Sequence, residues 1–133
     1  MNVVLFLLFF PYQEYDWGIN IKDLSDEELV NLCKSTEVDS GKAYQELVRR
    51  YKQYVYSISF NKLNNREDAL DASQETFIRA YYGMSNFRID SSFKTWLTTI
   101  AANVCLTVTL SNKRKFWKYQ MSIDGDIDIE NIY

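Results

Sequence analysis

The clearest chemical signal in this chain is a short stretch that mixes cations with aromatic rings. Residues 113–119 read KRKFWKY, and no acidic residue occurs between Ser91 and Ile123. Cations can pair with phosphates and aromatic rings can stack on bases, so this stretch is typical of contact with nucleic acid. Cations also stabilise the C-terminal end of a solvated helix. The spacing alone leaves both interpretations open.

A second group of polar side chains is acidic and lies in residues 66–84. At 100° per residue, one helical arc gathers Glu67, Asp68, Asp71, Gln74, Glu75, Ile78 and Tyr82. Acids on a helix commonly form only a solvated face, but apolar side chains among them favour a protein-docking surface. A stripe of small residues on the other side predicts close approach of a neighbouring helix: Ala69, Ala72, Ser73, Thr76 and Ala80.

The net charge of −3 hides an uneven distribution along the chain. Residues 26–121 contain 14 Lys/Arg and 11 Asp/Glu, so the excess of acids lies towards the two ends. A basic segment can contact phosphates even in an acidic chain, because phosphates respond to the electrostatic field near that segment and not to the net charge of the whole chain.

Several kinds of catalytic and metal site are excluded by residue type. The chain has no histidine, which rules out a Cys₂His₂ zinc site, a Ser-His-Asp triad and a histidine general base. Cys33 and Cys105 fit the reduced thiols of a cytoplasmic protein. The tail places Ile129 where a calcium loop needs glycine. An enzyme could then rest only on an acid-based or metal site, and acids clustered on one helix without a facing set do not favour one. We predict that the protein is not an enzyme and has no catalytic residue, metal or cofactor.

The elements that position these groups are predicted to be helices, because the chain has one proline and four glycines. Ser25 and Glu28 form a capping box that begins a short helix ending near Lys34. A long amphipathic helix follows to about Leu63, with Glu46, Arg49 and Arg50 outside its apolar arc. The next helix spans 66–84, and a loop leads to a last helix capped by Ser91 or Ser92. The fold class is all-α, a compact bundle of about four helices.

The two ends are expected to lie outside this domain, which spans residues 25–119. The leader, residues 1–24, has an apolar run from Val3 to Phe10. That run is shorter than the ~20 residues of a membrane-spanning helix and lacks the basic start of a secretory signal. We favour a misassigned start or an arm against the domain over a membrane role, and predict no stable membrane insertion. Residues 120–133 are interpreted as an acidic linker or tail.

Taken together, four strings resemble region 2 of the sigma-70 family of RNA polymerase sigma factors, in its extracytoplasmic-function (ECF) form. They are DEELV (26–30), AYQELVRRYKQYVY (43–56), NREDALDASQETFIRAY (65–81) and NFRIDSSFKTWLTTIAAN (86–103). The resemblance covers about residues 25–115. It implies a domain that docks on core RNA polymerase and opens the promoter minus-ten element.

The resemblance assigns a role to two surfaces. The contacts to the clamp helices of the largest polymerase subunit would be Asp71, Gln74, Glu75 and Ile78. The contacts to the non-template strand of the minus-ten element would be Phe87, Arg88, Asp90, Ser91, Ser92, Lys94, Thr98, Thr99 and Asn103, with phosphate contacts from Lys113, Arg114 and Lys115. Phe87 is a candidate wall for a flipped base, whereas Trp96 falls on the apolar face and is expected to pack in the core.

Some positions depart from the family pattern. Thr99 and Ala102 stand where family members usually carry arginine or aromatic residues, so polymerase docking looks better preserved than DNA binding. The alternative is a divergent helical module that binds polymerase or a regulator without opening promoters. No helix-turn-helix follows, which suggests a fragment or one half of a two-protein sigma factor. An anti-sigma factor would be the family's usual form of control.

Overall fold

The computed structural model describes residues 20–35 and 39–124 and has no strand within them. Its four helices are α1 (Asp26–Lys34), α2 (Ser40–Leu63), α3 (Arg66–Gly83) and α4 (Phe93–Asp124). Short 3₁₀ turns at Ile21–Asp23 and Met84–Asn86 precede α1 and follow α3. The predicted all-α bundle is confirmed. No helix in the described part of the chain is long and apolar enough to cross a bilayer. The apolar run of the leader and the calcium-like tail positions beyond 124 lie outside the described residues.

The helix ends follow from specific caps. The Ser25 N–H donates to Glu28 Oε2 at 2.7 Å, and the Glu28 N–H donates to Ser25 Oγ at 3.2 Å, so the predicted capping box is present. Hydrogen bonding from Ser25, first of all from its backbone N–H, lowers the pKa of the Glu28 carboxyl. At the start of α4 the cap is Ser92 rather than Ser91, because Ser92 Oγ accepts from the Thr95 N–H at 3.1 Å. Asn64 ends α2 in the left-handed conformation, with φ of 50°.

The core is formed where α2, α3 and α4 pack together. All five small residues of α3 are buried, which confirms the predicted close approach. The Ser73 and Thr76 hydroxyls donate to backbone carbonyls one turn earlier, which satisfies both groups inside the bundle. Other buried apolar side chains include Tyr44, Leu47, Val48, Val55, Phe93, Leu97, Ala101 and Val104. The apolar arcs predicted for the second and fourth helices therefore face this core.

Glu46 is buried, although the pattern of α2 placed it outside the apolar arc. Its side chain is 1% exposed and accepts hydrogen bonds from Arg49 Nε at 2.8 Å and Arg50 Nε at 2.9 Å. Arg50 also donates to Asp26 Oδ1 at 3.0 Å and to the Leu24 carbonyl at 2.6 Å. Glu46 lies outside the apolar arc of α2, as the pattern predicts, yet it is buried because α1 packs on this side of α2 and Arg49 and Arg50 pair with its charge.

We expect Glu46→Gln to lower the free energy of unfolding by about 1.5–3 kcal/mol at pH 7, because hydrogen bonds to charged groups are lost. The hydrogen bond from Arg49, with help from Arg50, holds the pKa of Glu46 below 4.5. A depressed folded-state pKa stabilises the fold above the unfolded pKa, and that stabilisation is lost as the pH falls through the folded value. The difference between parent and variant should therefore narrow below pH 4.5.

Urea unfolding of both proteins at several pH values would measure this difference. Glu75→Gln is the matched control, because Glu75 is paired with Arg79 but its side chain is 43% exposed. Exposed ion pairs contribute about 0–1 kcal/mol, so the control should unfold close to the parent. Equal stability of parent and Glu46→Gln at pH 7 would contradict the role given to the buried carboxylate.

Candidate functional site

The first candidate surface is the outward side of α3, here called the α3 face: Asp71, Gln74, Glu75 and Ile78. Asp71 is exposed and the other three are half-buried, so all four remain accessible from one side of the bundle. Glu75 Oε1 accepts from Arg79 Nε at 2.7 Å, which orients the carboxylate along the helix surface. The nearby ring of Tyr82 is 68% exposed. The structure thus brings the four predicted docking residues together, next to further exposed apolar surface.

A groove between α2 and α3 lies beside the α3 face. It has a volume of about 770 Å³, and Gln74 is one of its lining residues. Its walls are largely apolar and include Tyr56, Phe60, Leu70 and Phe77. The rings of Tyr56 and Phe60 stack with centroids 6.0 Å apart. This α2 wall was not predicted; its signal in the sequence is a pair of aromatic residues four positions apart, Tyr56 and Phe60, outside the core arc of α2.

The second candidate surface is formed by the loop before α4 and the outward side of α4, here called the α4 face. The loop residues Arg88, Asp90, Ser91 and Ser92 are all exposed. Lys94, Thr99 and Asn103 are exposed along the first three turns of α4, and Thr98 is half-buried. The Thr98 hydroxyl donates to the Lys94 carbonyl at 2.7 Å and the Thr99 hydroxyl to the Thr95 carbonyl at 3.2 Å. Each oxygen keeps acceptor capacity for a ligand donor.

Tyr54 of α2 joins the α4 face, although no role was predicted for it. Its hydroxyl lies 3.0 Å from Thr98 Oγ1, and the Lys94 ammonium lies 4.6 Å from the centroid of its ring. A cation over an aromatic face is attracted by the ring quadrupole. Tyr54 therefore positions two of the predicted DNA contacts from a neighbouring helix. Because the contact joins two helices, no local pattern in the sequence could have revealed it.

Phe87 packs into the core of the bundle, with 4% of its surface exposed. Its ring centroid lies 4.8 Å from that of Trp96 and 6.2 Å from that of Phe93, and its carbonyl accepts from Lys34 Nζ. A buried ring offers little face for a base, so Phe87→Ala would test the fold as well as DNA binding. Trp96 packs against the core, as its apolar position predicted.

A small cavity lies beside this loop. Its volume is about 290 Å³, and its lining includes Phe87, Ile89, Asp90, Ser91 and Ser92. Asp26 and Glu27 of α1 also line it. Serine side chains and the acidic residues Glu27 and Asp90 thus line a recess beside the loop, and hydroxyl and carboxylate oxygens can accept hydrogen bonds from donors on a base.

The basic cluster Lys113, Arg114 and Lys115 lies on α4 itself, because this helix continues without interruption from Phe93. All three side chains are exposed. Asn112 Nδ2 donates to Asp68 Oδ2 at 2.9 Å and ties α4 to the first turn of α3. The basic cluster begins at the residue after Asn112, at the end of the bundle. It therefore shares one rigid element with Lys94, Thr99 and Asn103.

This arrangement of helices is that of a known transcription-factor domain. The sequence profile of the Sigma-70 region 2 family matches residues 47–115. The chain therefore belongs to the sigma-70 region 2 family. The resemblance stated from its motifs is confirmed, including its ECF form.

Two curated relatives and one solved structure illustrate the similarity. The chain is 40% identical over 73 residues to the ECF RNA polymerase sigma factor SigW of Bacillus subtilis, covering 55% of this chain and 38% of that protein. It is 34% identical over 94 residues to the ECF RNA polymerase sigma-E factor of Escherichia coli, covering 71% and 47%. An engineered region 2 of sigmaE, solved by NMR in complex with GTAAAA, is 33% identical with a TM-score of 0.63, covering 69% of this chain and 93% of that one.

The chain spans about half the length, or less, of these curated relatives.

Proposed function

We propose that this domain acts in transcription initiation by docking on core RNA polymerase through the α3 face and holding melted minus-ten DNA on the α4 face. It works by binding, without covalent chemistry, in the cytoplasm where polymerase acts. One observation supports the proposal most. The predicted loop and α4 contacts are accessible on one side of the domain, and the domain is similar to a region 2 that was solved in complex with GTAAAA.

The α3 face suits a protein partner because it combines polar and apolar groups beside a groove. Interfaces of this kind have a partly apolar centre and hydrogen-bonding side chains around it. Gln74 lies at the boundary, since it belongs to the α3 face and also lines the α2–α3 groove. The partner proposed is the pair of clamp helices in the largest polymerase subunit. An anti-sigma factor that covered the same face would block docking.

The α4 face suits unpaired DNA better than a duplex. Its first turns offer hydroxyls and an amide from Thr98, Thr99 and Asn103, while Lys94 and Arg88 supply nearby positive charge. Unstacking a base costs a few kcal/mol, and a recess with hydrogen-bonding groups can offset that cost. The 290 Å³ cavity beside the loop supports capture of one such base.

A paired binding experiment tests this proposal. The purified chain is expected to co-purify with core polymerase and to bind fluorescent single-stranded GTAAAA more tightly than a scrambled strand or the same sequence in a duplex. The alternative, a helical module that binds polymerase only, is favoured by the uncharged Thr99 and Ala102 on α4. Retention of polymerase without any preference for GTAAAA would establish that alternative and contradict promoter opening.

A further inference from the structure

The outward side of α4 continues well past the residues already assigned to DNA. At 100° per residue, one stripe within about 80° contains Thr99, Asn103, Leu106, Leu110, Lys113 and Trp117. Leu106 is 57% exposed, Leu110 is 51% exposed and Trp117 is 58% exposed. Along a straight helix Trp117 lies about 21 Å beyond Asn103, at 1.5 Å per residue. The α4 face therefore extends in a straight line to an exposed tryptophan.

Phe116 accompanies Trp117 at this end of α4. Its side chain is 59% exposed, and the two rings meet edge to face with centroids 5.9 Å apart. The exposed cations Lys113, Arg114 and Lys115 come immediately before this pair. Exposed aromatic rings beside cations are the groups that bind single-stranded nucleic acid, because rings stack on bases and cations pair with phosphates.

We propose that Trp117, with Phe116 beside it, forms a second single-stranded DNA contact that stacks a base of the strand held by the loop and Thr99. The proposal rests on the proposed function of the α4 face and extends it to the end of the helix. Two observations favour DNA as the occupant: the stripe is continuous with the α4 face, and the segment from Ser91 to Ile123 has cations but no acid.

The distance along α4 from Asn103 to Trp117 determines how long a DNA strand must be to contact both residues. Stacked nucleotides are spaced about 3.4 Å along a strand, so 21 Å corresponds to about six nucleotides beyond Asn103. A strand of GTAAAA alone would occupy the loop and first turns of α4. A strand extended by about eight nucleotides, on the 5′ side in one probe and on the 3′ side in another, would reach Trp117 in one of the two.

Fluorescence anisotropy with the whole chain and these three strands tests the proposal. The parent should bind one extended strand more tightly than GTAAAA. Trp117→Ala should weaken binding of that strand by about 5- to 100-fold, the loss expected for one base–aromatic stack. Its affinity for GTAAAA should stay within about twofold of the parent, and Trp117→Phe should retain most of the extended-strand affinity.

Tyr119→Ala is the matched control on the same helix. Tyr119 is 65% exposed and lies about 160° around α4 from Trp117, with the same cations nearby. The Tyr119→Ala variant should bind each of the three strands with the same affinity as the parent. Equal losses in the Trp117 and Tyr119 variants would overturn the proposal, because the stripe would then not define the contact. A different outcome is that the parent binds anionic vesicles, with Trp117→Ala abolishing that binding and leaving the extended strand bound as in the parent. That result would overturn the proposal in favour of a lipid surface.

The probes also separate this inference from the function on which it rests. Binding of GTAAAA with no gain from either extension would overturn the Trp117 contact and leave the α4 face intact. Failure of the parent to bind any of the three strands would overturn both.

Discussion

Replacing Gln74 and Glu75 together by alanine is expected to weaken binding to core RNA polymerase by about 30- to 1000-fold, or about 2–4 kcal/mol. Residues at the centre of a desolvated interface contribute most of the binding free energy, and lost polar contacts leave partner groups without hydrogen bonds. Gln74 lines the α2–α3 groove, and Glu75 neighbours it on the α3 face. Immobilised chain and soluble core polymerase would give the two dissociation constants.

The fold should survive this double substitution. Glu75 pairs only with Arg79 among the contacts described for its carboxylate, and both side chains are more than 40% exposed. Such pairs contribute about 0–1 kcal/mol to folding. Circular dichroism should therefore show native helicity, which makes any loss of binding a property of the surface.

A matched control likewise removes one carboxylate and one amide side chain, from α1. Glu27 and Asn31 are both exposed there, and their double alanine variant should bind polymerase like the parent. Unchanged binding by the Gln74/Glu75 variant would remove the α3 face from the docking site. A similar loss in both variants would show that charge alone, and not this face, controls the association.

Helix boundaries and core faces could be predicted because local interactions decide them. The Ser25–Glu28 box needs only residues three positions apart, and it forms as predicted. The small-residue stripe of α3 predicts a close helix contact from size alone, and Ala69 and Ala80 are fully buried there. The position of Asp71, Gln74 and Glu75 on one accessible side of α3 follows from the same periodicity.

The parts that could not be predicted depend on contacts between distant segments. Glu46 has the spacing of a surface residue, but α1 and two arginines enclose it. Tyr54 reaches the α4 face only because α2 crosses beside α4. Phe87 sits in a loop that suggested exposure, yet Trp96 and Phe93 cover its ring. In each case tertiary packing, which the chain pattern does not encode locally, decides the environment.

The continuity of α4 has a signal in the sequence. No proline or glycine occurs from Phe93 to Asp124, and the helix runs through all of these residues. Helix α4 therefore continues past residue 119 into the segment interpreted as an acidic linker or tail.

Removing the basic cluster is the second change with a large expected effect. The triple variant Lys113→Ala, Arg114→Ala and Lys115→Ala should bind the extended single strand, which reaches the end of α4, about 100-fold more weakly at 0.1 M salt. About three to five phosphate contacts, at ~0.7 ions released per contact, give the parent a log–log salt slope of about −2 to −3.5. Loss of three contacts should flatten this slope by about 2.

The ratio of affinities for the extended strand and for the same strand with its GTAAAA segment scrambled should stay the same in this variant, because phosphate contacts position the protein and do not read sequence. Anisotropy titrations at several salt concentrations measure both quantities. The control changes the charge equally elsewhere, through Lys52→Ala, Lys62→Ala and Arg79→Ala on α2 and α3, and it should keep the parent slope. If the cluster variant also kept the parent slope, the phosphates would be held by Arg88 and Lys94 alone. The end of α4 would then have no part in DNA binding, and stacking by Trp117 would lose its electrostatic support.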